Sequence, residues 1–177
     1  ISKARQYLVD KIKSEKIVSL ILGGPNKYYS FNSDQIINIF NKIKSIFVSN
    51  GYKVIIIPSM RTPKTIIDLA IREMGSSGHV VNKVDKQAYL SAYALANFVI
   101  VTCDSTSMIS EAATSGKPIF VAHMKAKKNN YRFKRFFKLF KQMGITRDLG
   151  EKVETWTYNK HNEAQRIALE LKNKIKN

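Results

Sequence analysis

Short apolar runs alternate with helix-like segments along most of this chain, and this alternation constrains its fold more than any other feature. The runs are residues 17–22, 54–57, 79–81, 98–101 and 118–121. Apolar runs of this length are typical of parallel strands that are covered on both faces. The sequence therefore predicts an α/β fold with a Rossmann-like, doubly wound parallel sheet and helices on both faces. The expected strand order is 3-2-1-4-5, and a sixth strand is left open.

Helical patterns fill the segments between these runs. They cover residues 3–14, 33–50, 86–95, 107–115, 131–142 and 162–174, with a further helix that has Pro63 in its first turn. Ser33 or Asp34 is expected to cap the second helix, Gly51 to end it, and Asp85 to cap the helix at 86–95.

Length and composition favour a single domain over residues 1–177, with 44% hydrophobic and 24% charged residues. The chain has neither a run of about twenty apolar residues nor a secretory signal, so we expect a cytoplasmic protein. Its single cysteine, Cys103, fits a reducing compartment. The three histidines have no metal-ligand spacing, so we expect neither a metal nor another cofactor. Because it opens on Ile1 within a helical pattern, we expect the chain to be part of a longer protein.

The predicted strand order brings two polar loops together. The first and fourth strands are neighbours where the connections diverge to opposite faces of the sheet, and ligands bind in the crevice at such a point. The loop 23–27 follows the first strand, and 102–107 follows the fourth and leads directly into a helix. Helix starts, glycines, hydroxyls and basic side chains are phosphate-binding groups. The candidate diphosphate ligands are Gly23, Gly24, Lys27, Arg61, Ser105, Thr106 and Ser107.

Each candidate also has an ordinary structural interpretation. Asp104, Ser105 or Ser107 can simply cap the helix, and Glu111, one turn later, can favour its positive end instead of accepting from ribose hydroxyls. The Gly-Gly pair can be a turn, and Arg61 a solvated loop residue. Neither a G-x-G-x-x-G fingerprint nor a Walker loop is present, which argues against NAD and P-loop chemistry.

The chain carries 30 Lys+Arg and 13 Asp+Glu, a net charge of +17. Such an excess attracts polyanions or an anionic membrane surface, although lysine enrichment throughout a source genome would produce it as well. Part of the excess forms a basic patch. The patch comprises Lys125, Lys127, Lys128, Arg132, Lys134, Arg135 and Lys138.

The segment 131–142 lies within this patch and carries phenylalanines at helical spacing. Phe133, Phe136, Phe137 and Phe140 share one helix face. The favoured interpretation is a packed helix with a cationic solvent face. The second is a helix lying on an anionic membrane with its phenylalanines inserted. Nucleic-acid binding ranks last, because no nucleic-acid fold accompanies the segment.

Four segments resemble one known family in order and spacing. They are LILGGPNKYYSF, PSMRTP, VTCDSTSMISEAATSGKPIFV and RFKRFFKLFKQMGITRDL. They resemble the bacterial and plant mitochondrial-fission ELM (elongated mitochondria) family, also labelled predicted nucleoside-diphosphate-sugar epimerases, over about residues 17–156. Two positions depart from it: Met60 precedes Arg61 where a second arginine is frequent, and Cys103 stands where an acidic residue is common.

This resemblance implies a glycosyltransferase-B-like architecture, in which the chain is similar to the C-terminal, donor-binding half and lacks the N-terminal half. It implies phosphate contacts from Gly24, Lys27, Ser105 and Ser107, ribose contacts from Glu111, and a base-binding backbone near residues 80–84. In inverting members the general base typically comes from the other half, so no catalytic residue is assigned here.

The expected function is binding of a nucleotide-sugar donor for metal-independent glycosyl transfer. One alternative is a nucleotide-sugar epimerase or hydrolase. Another is a non-catalytic adaptor, because the plant relatives in this family are associated with recruiting the fission dynamin to mitochondria.

Overall fold

A computed structural model describes residues 2–159 of the chain. His161 and the helix predicted at 162–174 lie outside the described residues. Within residues 2–159, no helix is both long and apolar enough to cross a membrane.

Six parallel strands form one sheet. They are β1 (Ile17–Leu22), β2 (Lys53–Pro58), β3 (Gly78–Val80), β4 (Phe98–Thr102), β5 (Ile119–Ala122) and β6 (Thr146–Asp148). Their order is β3-β2-β1-β4-β5-β6. Val18 of β1 is paired with Val54 of β2 on one side and Phe98 of β4 on the other. The predicted order is confirmed, and β6 is the sixth strand that the sequence left open.

Six α-helices cover the sheet within the described residues. They are α1 (Ser2–Val9), α2 (Ser33–Ile46), α3 (Lys64–Met74), α4 (Lys86–Leu95), α5 (Thr106–Ala113) and α6 (Tyr131–Gln142). Because side chains alternate along a strand, Ile21 packs with the helices of one face and Leu20 with those of the other. The first core contains α1, α4, α5 and α6, and the second contains α2 and α3. The prediction of helices on both faces is confirmed.

Several helix ends differ from the predictions. Asn32 caps α2, because its Oδ1 accepts from the Gln35 amide at 3.1 Å, in place of Ser33 or Asp34. The helix ends at Ile46, a 3₁₀ turn follows at Val48–Asn50, and Gly51 ends that turn with φ at 81°. Pro63 is the N-cap of α3 rather than part of its first turn. The first helix ends at Val9, before the predicted residue 14.

Candidate functional site

The loops that follow β1, β2 and β4 meet at the carboxyl edge of the sheet around the side chain of Asp104. This side chain is buried, with 2% of the residue exposed. Its Oδ2 accepts from the Gly24 amide and from Arg61 Nη2, both at 2.9 Å. The Asn26 side chain donates Nδ2 to the Asp104 carbonyl at 2.9 Å. One carboxylate therefore ties the three loops together, and we call the region between the β1 and β4 loops the switch-point crevice.

Gly23 and Gly24 allow these loops to approach closely. A Cβ on Gly23 would lie 2.0 Å from Asp104 Oδ2, and one on Gly24 would lie 2.0 Å from the Arg61 carbonyl oxygen. The Gly23 amide donates to Thr102 Oγ1 at 2.8 Å, and the Gly24 amide to Asp104. Both amides are thus engaged within the protein, and the observed role of the pair is close packing of the loops.

The two candidate cations lie in different settings. Arg61 donates Nη1 to the Gly24 carbonyl at 2.7 Å and pairs with Asp104, and 40% of its side chain is exposed. Lys27 is exposed, and its Nζ lies 4.9 Å from the centre of the Tyr28 ring, a cation–π contact. Arg61 is therefore held in place beside the crevice, whereas Lys27 is turned onto its neighbouring ring.

The start of α5 forms the β4 side of the crevice. Ser105 is its N-cap, and Ser105 Oγ accepts from the Met108 amide at 3.4 Å. Within residues 2–159, the side chains of Thr106 and Ser107 form no hydrogen bond, and Ser107 is exposed. The first amides of a helix have no partner in the helix itself. The structure thus leaves hydroxyl and amide donors at this helix start, while the Asp104 carboxylate serves the loops instead of capping.

Glu111 lies on the exposed surface of α5, close to two tyrosines of α4. Tyr89 and Tyr93 place their hydroxyl oxygens 3.1 Å apart and their ring centres 4.8 Å apart. Burial raises the pKa of both tyrosines, and the nearby Glu111 carboxylate raises each further. Sequence analysis missed this tyrosine pair, although the i, i+4 spacing on a predicted helix indicates that the two rings share a face.

The basic helix α6 packs through its phenylalanines. Phe140 is buried, and Phe133, Phe136 and Phe137 are half-buried against the first core. The cations of the basic patch are exposed. This arrangement is the packed helix with a cationic solvent face, and binding of this helix to an anionic membrane stays a prediction.

Across residues 2–159, no three His, Cys, Asp or Glu side chains lie together as a metal site requires.

The fold has counterparts among solved structures. A structure of S. aureus MnaA with UDP superposes with a TM-score of 0.58 at 15% identity, covering 82% of this chain and 36% of that one. The UDP-GlcNAc 2-epimerase of Neisseria meningitidis, bound to UDP-GlcNAc, gives a TM-score of 0.52 at 14% identity, covering 97% and 40%. These likenesses define a Rossmann-like domain of the glycosyltransferase-B-like type found in such epimerases.

The chain belongs to the mitochondrial fission ELM1 family, whose model matches residues 1–175. It is 29% identical over 169 residues to an uncharacterized protein of Rickettsia prowazekii (strain Madrid E), covering 92% of this chain and 48% of the relative. It is 24% identical over 164 residues to the mitochondrial fission protein ELM1 of Arabidopsis thaliana, covering 90% and 38%. The chain thus spans about half or less of the length of these curated relatives. The family resemblance seen in the sequence is confirmed.

Proposed function

We propose that this domain binds a nucleoside-diphosphate sugar in the switch-point crevice, as the C-terminal, donor-binding half of a longer glycosyltransferase-B-like protein. The observation that carries the proposal is the start of α5. It presents hydroxyls at Thr106 and Ser107 that have no hydrogen-bond partner in the described part of the chain, and Glu111 follows one turn later. Helix starts bind phosphate, and a carboxylate accepts hydrogen bonds from ribose hydroxyls. Solved structures of the same fold contain UDP and UDP-GlcNAc, which supports a nucleotide-sugar ligand.

The candidate phosphate ligands differ in whether their donor groups are free to bind a ligand. Because the Gly23 and Gly24 amides already have partners, the glycines contribute by letting the β1 loop approach Asp104. The diphosphate contacts then fall to the α5 start and to the exposed part of Arg61, with Lys27 joining by a change of rotamer. In glycosyl transfer, these donors would stabilise the charge that develops on the leaving diphosphate without a metal ion.

Calorimetric titration of the 177-residue chain with UDP, GDP, ADP and CMP, at low and at moderate salt, tests this proposal. Saturable binding of one nucleotide that persists at moderate salt supports a specific site. Weak binding of all four that disappears with added salt would refute the proposal, because it would reflect only the net charge.

Two matched variants locate the binding. Glu111→Gln removes the carboxylate expected to contact ribose, and we expect it to weaken binding of the preferred nucleotide about tenfold, as loss of a charge-assisted hydrogen bond does. Glu151→Gln makes the same charge change at an exposed glutamate after β6. Equal affinity of the two variants would remove Glu111 from the proposed site.

An adaptor role is the second candidate, favoured by the family to which the chain belongs. Capture of one defined partner, unaffected by saturating UDP, would support that role. Product analysis with the longer protein separates glycosyl transfer from epimerisation or hydrolysis of the donor.

A further inference from the structure

The positive charge of this chain is concentrated in one segment. Residues 112–147 contain ten Lys+Arg and no Asp or Glu, whereas the rest of the chain contains 20 Lys+Arg and all 13 acidic residues. General enrichment in lysine would mix cations with acids throughout the sequence. A continuous acid-free segment of this length therefore points to a local role for its charge.

Part of this segment lines a cavity of about 700 Å³ at the carboxyl end of β5. The cavity lies among the β5–α6 connection, one face of α6 and the end of β6, and its size is that of a small-molecule pocket. We call it the lysine cavity. The cations that line it are Lys128, Lys134, Lys138 and Lys141.

Only one carboxylate lines the lysine cavity among the described residues, and it is already paired. Asp148 accepts from Lys141 Nζ at 2.6 Å and contacts His123 Nε2 at 2.9 Å. Within residues 2–159, Lys134 and Lys138 have no acidic partner, and Lys128 has only the face of the Tyr28 ring at 5.7 Å. Three lysines therefore line one concave surface without an acidic partner among residues 2–159.

The wall of the lysine cavity is held in place by buried hydrogen bonds. Asn130, 6% exposed, donates Nδ2 to the hydroxyl of Tyr29, 1% exposed, at 2.7 Å. The Lys127 amide donates to the Tyr28 carbonyl at 2.7 Å, and Tyr29 forms a β-bridge with Ala126. These contacts join the β1 loop to the entry of α6, so the cavity is built from ordered backbone and not from surface side chains alone.

The cations in the first turn of α6 do not stabilise this helix. The first turn of this helix includes Arg132 and Lys134 and no acidic residue, although the positive end of a helix favours anions. The Asn130 side chain, at the N-cap position, donates to Tyr29 and does not cap the helix. Mutual repulsion among the cations adds to this cost. A bound anion would offset both effects.

We propose that the lysine cavity binds an anion that carries at least two phosphate charges, such as a pyrophosphate or bisphosphate group. Lysine ammonium groups bind phosphate as point charges and impose no single planar geometry on it. The group can belong to a free small molecule or to a lipid headgroup, and both present the same chemistry to the cavity. The proposal is independent of nucleotide binding at α5, because it rests on different residues.

Titration with inorganic pyrophosphate at about 150 mM salt, where surface attraction is screened, tests the site, and it is done with the preferred nucleotide present at saturation so that the switch-point crevice is already occupied. We expect saturable binding of one equivalent, and a loss of affinity of at least tenfold in the double variant Lys134→Gln/Lys138→Gln. The matched control is Lys13→Gln/Lys53→Gln, which removes the same charge from exposed positions outside the cavity. Absence of saturable binding, equal loss in both variants, or binding that is unchanged in the cavity variant overturns the proposal. Thermal melts establish that both variants are folded.

Vesicle sedimentation separates the two sources of phosphate. Vesicles that contain phosphatidic acid are compared with phosphatidylserine vesicles of equal total charge. Preference for phosphatidic acid that pyrophosphate abolishes assigns the cavity to a lipid headgroup. Pyrophosphate binding in solution without that preference assigns it to a free small molecule. Vesicle binding that the cavity variant retains, together with no binding of pyrophosphate, overturns the site.

Discussion

Replacement of Arg61 by glutamine should destabilise the fold, because the Asp104 carboxylate would then be buried without its cationic partner. The Asp104 side chain has 0% exposure, and Arg61 Nη2 lies 2.9 Å from its Oδ2. Breaking a fully buried ion pair costs about 3–5 kcal/mol because one charge stays buried without its partner. Since 40% of the Arg61 side chain is exposed, water can partly replace it, and we expect about 2–3 kcal/mol. For a chain of this length that loss lowers the Tm by about 4–12 °C.

A double-mutant cycle isolates the pair from other effects of the substitution. Arg61→Gln, Asp104→Asn and the double variant are compared by chemical denaturation, and we expect a coupling energy of about 1 kcal/mol or more. Lys64 and Asp68 provide the control, because they form an i, i+4 pair with 86% and 56% side-chain exposure. Such surface pairs couple by about 0.3–0.5 kcal/mol. If Arg61 and Asp104 are additive within about 0.5 kcal/mol, the structural role given to their contact is refuted.

Three further outcomes follow from individual contacts. Gly24→Ala should lower the free energy of unfolding by about 3 kcal/mol in denaturant titrations, because the added Cβ would lie 2.0 Å from backbone. Gly75→Ala is the control: its added Cβ would meet open space, so the free energy of unfolding should be unchanged or rise by about 0.5 kcal/mol. Cys103 is buried and burial raises the pKa of its thiol to about 11, so thiol reagents at pH 8 should label it only upon unfolding; rapid labelling of the native protein would contradict this. Burial raises the pKa of Asp148, but Lys141 and the histidine partner lower it to a net value below 3.8. The ionised Asp148 carboxylate therefore contributes its full stabilisation at pH values above its unfolded-state pKa, and this contribution is lost as the pH falls through its folded-state pKa. In acid melts, the Asp148→Asn variant should lose less stability than the parent protein.

The sheet was readable from the sequence because its strands are consistently apolar. Each of the five predicted runs became a strand, and the predicted neighbours β1 and β4 are paired in the structure. The strand β6 was not located in advance, because Thr146–Asp148 has three residues and no apolar pattern. Its pairing depends on the position of α6, which turns the chain back toward the sheet edge.

The candidate site was less readable, because its central contacts join distant positions. Asp104 had the pattern of a helix cap, yet its carboxylate accepts from Gly24 and Arg61, which lie 80 and 43 positions away. Contacts between residues so far apart in the sequence cannot be predicted from local spacing. Ser105, in contrast, was a predicted cap and is one, since that role depends only on the adjacent helix start. The roles of these residues toward a diphosphate remain predictions.

The β1 loop connects the switch-point crevice to the lysine cavity. At one end, Gly24 is tied to Asp104; at the other, Tyr29 accepts from Asn130 in the cavity wall. Asn26 spans the interval, because its side chain donates to the Asp104 carbonyl and accepts from the Tyr28 and Tyr29 amides. A ligand that orders either end therefore acts on a segment shared with the other. Thermodynamic linkage then requires that pyrophosphate change the affinity for the preferred nucleotide by the same factor as the nucleotide changes the affinity for pyrophosphate. An apparent affinity for the nucleotide that keeps falling as pyrophosphate is raised would mean that the two anions compete for one site, whereas a factor of one would show that the β1 loop does not couple the two sites.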